Sequence, residues 1–261
     1  MTTTASRFKQ LNLLLVAISF FTRIPIPSWV SFDNDNLNRA SRYFGVVGLL
    51  VGAISAAVFW LSQLVLPISV AILLAMIASV LVTGGFHEDG LADTADGFGG
   101  GWTVEAKLAI MKDSRLGTYG ALALVLALLL KWQLLVELAL YSPLVAASGL
   151  VIAHCLSRVL ASSMIFSQQY VQDTDASKVR PVANQQHVSD LFILLLTALL
   201  VLAVVDGVLA FVLLIALAGI KFSLCWFFKR QIGGYTGDAL GAAQQVGELA
   251  CYLIILLVGF N

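Results

Sequence analysis

Charge is what this chain lacks most. Of its 261 residues, 11% are Asp, Glu, Lys or Arg and 59% are hydrophobic. A soluble globular chain carries about a quarter charged residues, so this composition excludes one, and a mean hydropathy of +0.93 places the chain in a bilayer. Lys plus Arg equal Asp plus Glu at 15 each; without a basic excess there is no electrostatic footprint for nucleic acid. Cysteine is scarce too. Cys155, Cys225 and Cys251 lie in apolar segments without CxxC spacing, which excludes a disulfide or thiolate-metal framework and leaves them as small core residues. There is no low-complexity tract, internal repeat or second soluble domain, so residues 1–261 read as a single integral membrane domain.

What the chain does have is apolar runs of bilayer length, about 20 residues each. They fall near residues 43–66, 68–86, 117–140, 142–166, 189–206, 207–228 and 242–260. The expected fold is all-α: a polytopic membrane bundle of about seven transmembrane helices. The run from Leu11 to Phe21 is shorter and ends at Thr22-Arg23-Ile24-Pro25-Ile26-Pro27, so it reads as a re-entrant or interfacial helix. It has no small-residue cleavage site that would make it a signal peptide. The cations sit on one side of an alternating seven-span map: Arg7, Lys9, Arg23, Arg39, Arg42; Lys107, Lys112, Arg115; Lys178, Arg180; Lys229, Arg230. The opposite turns, near Pro67, Tyr141-Ser142-Pro143 and Asp206-Gly207, carry none. The positive-inside rule then makes the polar side cytoplasmic, with loops near 87–120, 167–190 and 229–241 converging on it, in a bacterial inner membrane.

Against this background one segment stands out. Gly84-Gly85-Phe86-His87-Glu88-Asp89-Gly90-Leu91-Ala92-Asp93-Thr94-Ala95-Asp96-Gly97 places four of the fifteen acids within nine residues. Asp89, Asp93 and Asp96 stand at i, i+4 and i+7 and share a face if the segment is helical. Like charges that close ask for a cation, and oxygen donors with one His favour Mg²⁺ over zinc. The plainer alternative is a helix N-cap with solvated acids. Gly97-Phe98-Gly99-Gly100-Gly101 is expected to stop the helix, its bare backbone open to a phosphate.

Further polar features follow. Thr103 can cap a short surface helix with Val104, Leu108 and Met111 on one stripe. Arg115 is suited to phosphate through its guanidinium fork, or else pairs with Asp113. In Gly233-Gly234-Tyr235-Thr236-Gly237-Asp238-Ala239-Leu240-Gly241, Asp238 can cap a helix or join the metal ligands. Arg158 lies inside a span with His154 at i−4, and an arginine in hydrocarbon must face the bundle interior with a partner; His154 alone reads as a core histidine. Lys131 and Glu137 read as a polar packing or snorkelling feature. The basic stretch Lys178-Val179-Arg180-Pro181-Val182-Ala183-Asn184 reads as a topological anchor.

Five of these motifs in order resemble cobalamin synthase, the adenosylcobinamide-GDP ribazoletransferase family: Gly84-Gly85-Phe86-His87, Asp89-Gly90-Leu91-Ala92-Asp93, Asp96-Gly97, Asp113-Ser114-Arg115-Leu116-Gly117 and Gly234-Tyr235-Thr236-Gly237-Asp238-Ala239-Leu240-Gly241. The likeness extends from Phe20-Phe21-Thr22-Arg23-Ile24-Pro25-Ile26-Pro27 to Glu248. It implies the last assembly step of the vitamin B12 nucleotide loop: α-ribazole, or its 5′-phosphate, is joined to adenosylcobinamide-GDP and GMP leaves. It implies a Mg²⁺-dependent phosphotransferase with Asp89, Asp93, Asp96, Asp113 and Asp238 as metal ligands. His87 or a carboxylate would take the proton, Arg115 and Arg158 would hold phosphates, and Asp113, Gly234 and Thr236 would contact substrate. The lipid bilayer is a partner, and a second copy of the chain is left open. Two other readings are weaker. A CDP-alcohol phosphotransferase has arginine after the alanine of its acid motif, where this chain has Asp93 after Ala92. A transporter collects its ionisable residues near the bilayer midplane, whereas these acids lie at one end.

Overall fold

The computed structural model describes residues 2–171, 183 and 185–259. Among them every regular element is a helix. The elements are α1 (Thr2–Phe21), α2 (Asn34–Ala40) with a 3₁₀ turn over Ser41–Tyr43, α3 (Phe44–Ser62), α4 (Ile68–Thr83), α5 (Phe86–Gly100), α6 (Val104–Met111), α7 (Thr118–Tyr141), α8 (Pro143–Ser167), α9 (Val188–Leu202), α10 (Gly207–Ile232) and α11 (Gly237–Gly259). Each of the seven apolar runs forms a helix, but they are unequal. Five are long and apolar enough to cross a bilayer. The bent α4–α5 pair makes a sixth if the two form one broken span; α4 alone has 16 residues and α9 has 15, or about 24 and 22 Å of helix against a hydrocarbon core of about 30 Å, the shorter members of the polytopic bundle. The N-terminal run likewise remains short, with its apolar part over Phe8–Phe21.

In lipid, helices gain little from apolar contact alone and associate where small residues let backbones approach. Here α8 is the hub, 78% of its most apolar stretch buried, against 11% for α10 at the periphery. Gly48 and Gly52, one turn apart on α3, lie against it. A Cβ on Gly48 would stand 2.8 Å from Cys155 Cα, and one on Gly52 would stand 2.7 Å from Val151 Cα. Arg42, one of the cations ahead of the first span, is buried. Its guanidinium pairs with Asp190 at the start of α9, Nε donating at 2.7 Å, and the same carboxylate accepts from the backbone N–H of His187 at 3.1 Å. This double use of Asp190 closes the first turn of α9 and fixes it beside α3.

The break between α4 and α5 positions everything that follows. Gly84 and Gly85 adopt φ of 70° and 72°, a left-handed geometry that glycine alone enters freely. Together they turn α5 by 86° from α4, so α5 leaves the span direction and runs across one end of the bundle. The backbone N–H of Arg23 donates to Val82 O at 2.8 Å, and the Arg23 side chain lies over Gly84.

The glycine-rich stretch ends the acid helix at its far side: α5 continues through Gly97 to Gly100, and Gly101 is its C-cap. Its glycines serve contact. A Cβ on Gly97 would meet Met111 Cγ at 2.5 Å, and one on Gly99 would meet the Tyr119 ring, so their bareness lets α6 and the start of α7 close over α5. The three cysteines are free and buried.

Candidate active site

The acids of α5 meet the second polar motif through a glycine crossing. The Cα atoms of Gly90 and Gly241 face each other; a Cβ on Gly90 would lie 2.8 Å from Asp238 O and 3.2 Å from Gly241 Cα. With backbones this close, Asp238 at the start of α11 stands beside Asp89, next to Gly90 in sequence, and Asp93, about one turn beyond it. Asp93 registers the result: burial, then the charges of Asp238, Asp89 and Asp96, push its carboxyl up to about 7. Uncompensated carboxylates in a half-dry site raise one another's proton affinity.

Asp96 has a different task from its neighbours. It is buried, and its two oxygens accept from Gly117 N at 2.7 Å and Gly120 N at 2.8 Å. The carboxylate thereby caps the N-terminus of α7, satisfying orphan donors at the positive end of that helix. Gly117 and Gly120 both lie too close to the carboxylate to admit a Cβ.

The predicted substrate residues of the second motif are also built into the backbone. Thr236 Oγ1 accepts from Ala239 N at 3.2 Å and so caps α11, which releases Asp238 from the capping role considered for it. Gly234 sits where the carbonyl of Gln169 leaves no room for a side chain. There Tyr170 and Tyr235 form an isolated parallel bridge, with Tyr235 N donating to Gln169 O at 3.0 Å and Val171 N to Tyr235 O at 2.9 Å. Lys107 Nζ donates to Gln231 Oε1 at 2.6 Å, tying α6 to α10. Residues 87–120, 168–171 and 229–241 are thus joined at one end of the bundle. Lys178 and Arg180 lie outside the described residues.

Asp113 and Arg115 pair with each other on the exposed link between α6 and α7, Arg115 Nε donating at 2.9 Å. The guanidinium holds the Asp113 carboxyl down to about 2, and Asp113 is not among the charges acting on Asp93. His87 is buried, its ring stacked on Phe21 at 5.2 Å. Burial and the nearby Arg158 guanidinium hold its pKa well below the ordinary imidazole value, so it is a neutral ring packed below the acids.

Deeper in the bundle lies a polar network that sequence reasoning missed, apart from the position of Glu248. Glu248 pairs with Lys131 Nζ at 2.5 Å and accepts from Tyr252 OH at 2.9 Å and Gln244 Nε2 at 2.8 Å. His154 Nδ1 lies 3.5 Å from it. Gln245 then donates to Glu88 at 3.2 Å, linking the network to the acid helix. The signal was there: Gln244, Glu248 and Tyr252 recur at i+4 in an apolar span. Lys131 therefore does not share a feature with Glu137, which instead accepts from Gln133 at 2.7 Å. Arg158 is buried, and Nη1 bonds to His154 O at 2.9 Å and contacts Nδ1 of the same residue at 3.1 Å. Its hydrogen-bond partner is thus on its own helix rather than in the acid cluster.

Among the described residues, no three His, Cys, Asp or Glu side chains form a ready-made metal cage. The donor set still suits Mg²⁺, which keeps several waters and takes one or two carboxylates plus substrate phosphates rather than an all-protein cage.

The sequence pattern of the family described as "Cobalamin-5-phosphate synthase" matches residues 13–256. The chain is 68% identical to an adenosylcobinamide-GDP ribazoletransferase of Shewanella frigidimarina, over 97% of both chains. It is 64% identical to that of Shewanella halifaxensis, over 97% of this chain and 98% of the relative. For the Shewanella oneidensis protein of the same name the identity is 59%, over 96% of each. No solved structure matches.

Proposed function

Since the chain belongs to the cobalamin-5-phosphate synthase family, we propose that it is an adenosylcobinamide-GDP ribazoletransferase acting at the polar end of the bundle. A ribose hydroxyl of α-ribazole, or of its 5′-phosphate, attacks the phosphorus bearing the cobinamide alcohol. The new O–P bond forms as the bridging P–O bond breaks, GMP leaves with the electron pair, and a carboxylate takes the hydroxyl proton. The observation that carries this reading is the Gly90–Gly241 crossing, which sets Asp238 beside Asp89 and Asp93.

Those three carboxylates would hold Mg²⁺, which neutralises charge on the diphosphate and the leaving oxygen when bound. Asp93, whose carboxyl stands near 7 while those like charges are uncompensated, would have to be ionised to take its place among the ligands. Exposed Arg115 exchanges Asp113 for a phosphate with little loss, because an exposed ion pair contributes about 0–1 kcal/mol. Asp96 serves the site by fixing α7. The polar end faces the cytoplasm of a bacterial inner membrane, in keeping with the one-sided distribution of Lys and Arg.

Purified protein in nanodiscs should release one GMP per cobalamin product from adenosylcobinamide-GDP and ribazole, and chelation of Mg²⁺ should stop it. GMP release without a cobalamin product would defeat the proposal, as would full activity in the chelator.

A further inference from the structure

The left-handed turn between α4 and α5 carries an arginine as well as a change of direction. Arg23 lies two residues beyond Phe21, the end of α1, and its backbone is fixed on both sides. Thr22 Oγ1 donates to Ile18 O at 2.7 Å and accepts from Ile24 N at 3.2 Å. Arg23 N donates to Val82 O at 2.8 Å, and Pro25 follows with its ring-locked φ. The side chain is then laid across Gly84. A Cβ at Gly84 would overlap Arg23 Nε and stand 3.0 Å from Cζ and 3.1 Å from Nη2. Gly84 is thus bare for two reasons, its φ of 70° and the guanidinium above it.

What this seat does not supply is a counter-charge. Arg23 is exposed, and among the described residues no hydrogen bond or ion pair engages its side chain. The arginines described above are all engaged: Arg42 by Asp190, Arg115 by Asp113 and Arg158 by His154. A cation can also complement the C-terminal carbonyls of a helix, but the end of α4 is already closed by backbone. Val80 O accepts from Gly84 N and Gly85 N, and Val82 O from Arg23 N. The guanidinium is therefore held by packing, with its fork of donors left for an anion. A group seated beforehand loses less freedom when it binds.

The seat also adjoins the acid helix. Gly85 O accepts from Asp89 N at 2.9 Å, so exposed Asp89 stands one turn, about 6 Å, beyond the glycines. At the other end of the row Arg115 precedes Gly117, whose N–H donates to Asp96. Two exposed arginines thus bracket the acids along α5.

We infer that Arg23, seated on Gly84, binds a phosphate oxyanion at the edge of the acid site. The inference rests on the transfer reaction proposed above and adds a substrate-holding residue from the end of α1. Clustered carboxylates repel an anion, and a fixed guanidinium beside them offsets that repulsion. A phosphate has enough oxygens to meet the fork and a metal ion held by Asp89 together.

Calorimetry of inorganic pyrophosphate in Mg²⁺ buffer, with the protein in nanodiscs, tests this. Arg23→Gln should weaken binding at least about tenfold. Arg23→Lys keeps the charge without the fork and should fall between that variant and wild type. Both should raise KM for adenosylcobinamide-GDP while kcat and the KM for ribazole stay nearly unchanged. Gly84→Ala disturbs the seat and leaves the guanidinium in place; it should weaken pyrophosphate binding too, yet add nothing in the Arg23→Gln background. If Gly84→Ala does not fold, the two Arg23 variants decide. Wild-type pyrophosphate affinity in Arg23→Gln would overturn the inference, as would no binding by the wild-type protein. A lowered unfolding midpoint in Arg23→Gln with affinity and KM intact would also overturn it, leaving Arg23 a charge that only steadies the turn. Arg23-dependent pyrophosphate binding without any GMP release would instead sink the transfer reaction and leave the oxyanion site standing.

Discussion

Lys131 of α7 and Glu248 of α11 form an ion pair at 2.5 Å, with side chains 3% and 1% exposed. Glu248 lies ten residues beyond Asp238, about 15 Å further along the helix, so the pair sits well inside the bundle. Tyr252 and Gln244 supply the remaining hydrogen bonds to the carboxylate, and one buried group thereby sets the rotation of the helix that carries Asp238.

Removing one partner strands the other charge. Lys131→Met is expected to destabilise the protein by about 3–5 kcal/mol, read as a lower unfolding midpoint in detergent. Lys131→Met combined with Glu248→Gln should recover part of the loss, because no unpaired ion remains. An additive double variant would contradict the coupling.

The acids of α5 should separate into two classes. Asp89→Asn, Asp93→Asn and Asp238→Asn should each lower turnover by a hundredfold or more with normal membrane abundance. Asp96→Asn should reduce the folded amount, because an amide offers one oxygen to two backbone donors; the cost is about 1–3 kcal/mol. Activity per folded molecule, quantified by fluorescence-detected chromatography, separates the outcomes. Normal thermal stability in Asp96→Asn would contradict the cap.

Cation binding should depend on pH in a defined direction. The Asp93 carboxyl, raised to about 7 by burial and by Asp238, Asp89 and Asp96, is mostly protonated at pH 6 and mostly ionised at pH 8. Because its folded-state value lies above the unfolded one, its contribution to stability is present in acid and lost as pH rises through 7. A cation needs the ionised form, so apparent Mg²⁺ affinity should rise across that interval and fall about tenfold per unit below it. Calorimetry in buffers of different ionisation enthalpy should show net proton release on Mg²⁺ binding at pH 7, from Asp93 and from Asp238, whose carboxyl is raised to about 6. Pronounced tightening as the pH falls would have the wrong sign.

Gly90→Ala is expected to push α5 away from α11, since the new methyl would meet Asp238 O at 2.8 Å. Overpacking of this kind costs about 1–3 kcal/mol and would displace Asp238 from the other acids, lowering turnover at least tenfold. Gly219→Ala, where a Cβ meets nothing within 4 Å, is the matched control and should be neutral or slightly stabilising. Comparable loss in both would point to a general intolerance of bulk.

The sequence alone determined the solvent and where the acids gather. Charge scarcity and apolar runs require helices in a bilayer, because hydrocarbon leaves the backbone no other partner. Asp89 and Asp93 stood out because four acids within nine residues are costly in so apolar a chain. Only the tertiary structure decided what each polar residue does, because that depends on atoms distant along the chain. Asp93 and Asp96 have the same chemistry and lie on the same helix; one faces Asp238 and is left unneutralised, while the other finds the N–H groups of Gly117 and Gly120. Gly97 to Gly101 read as a stop because glycine has poor helix propensity, a local quantity; the helix does end there, at Gly100, and only the fold shows that Gly97 and Gly99 make room for Met111 and Tyr119. Lys131 read as a packing lysine until α11 supplied Glu248 from 117 positions away. Local periodicity determines which face a residue occupies, and the partner on the opposite face settles its function.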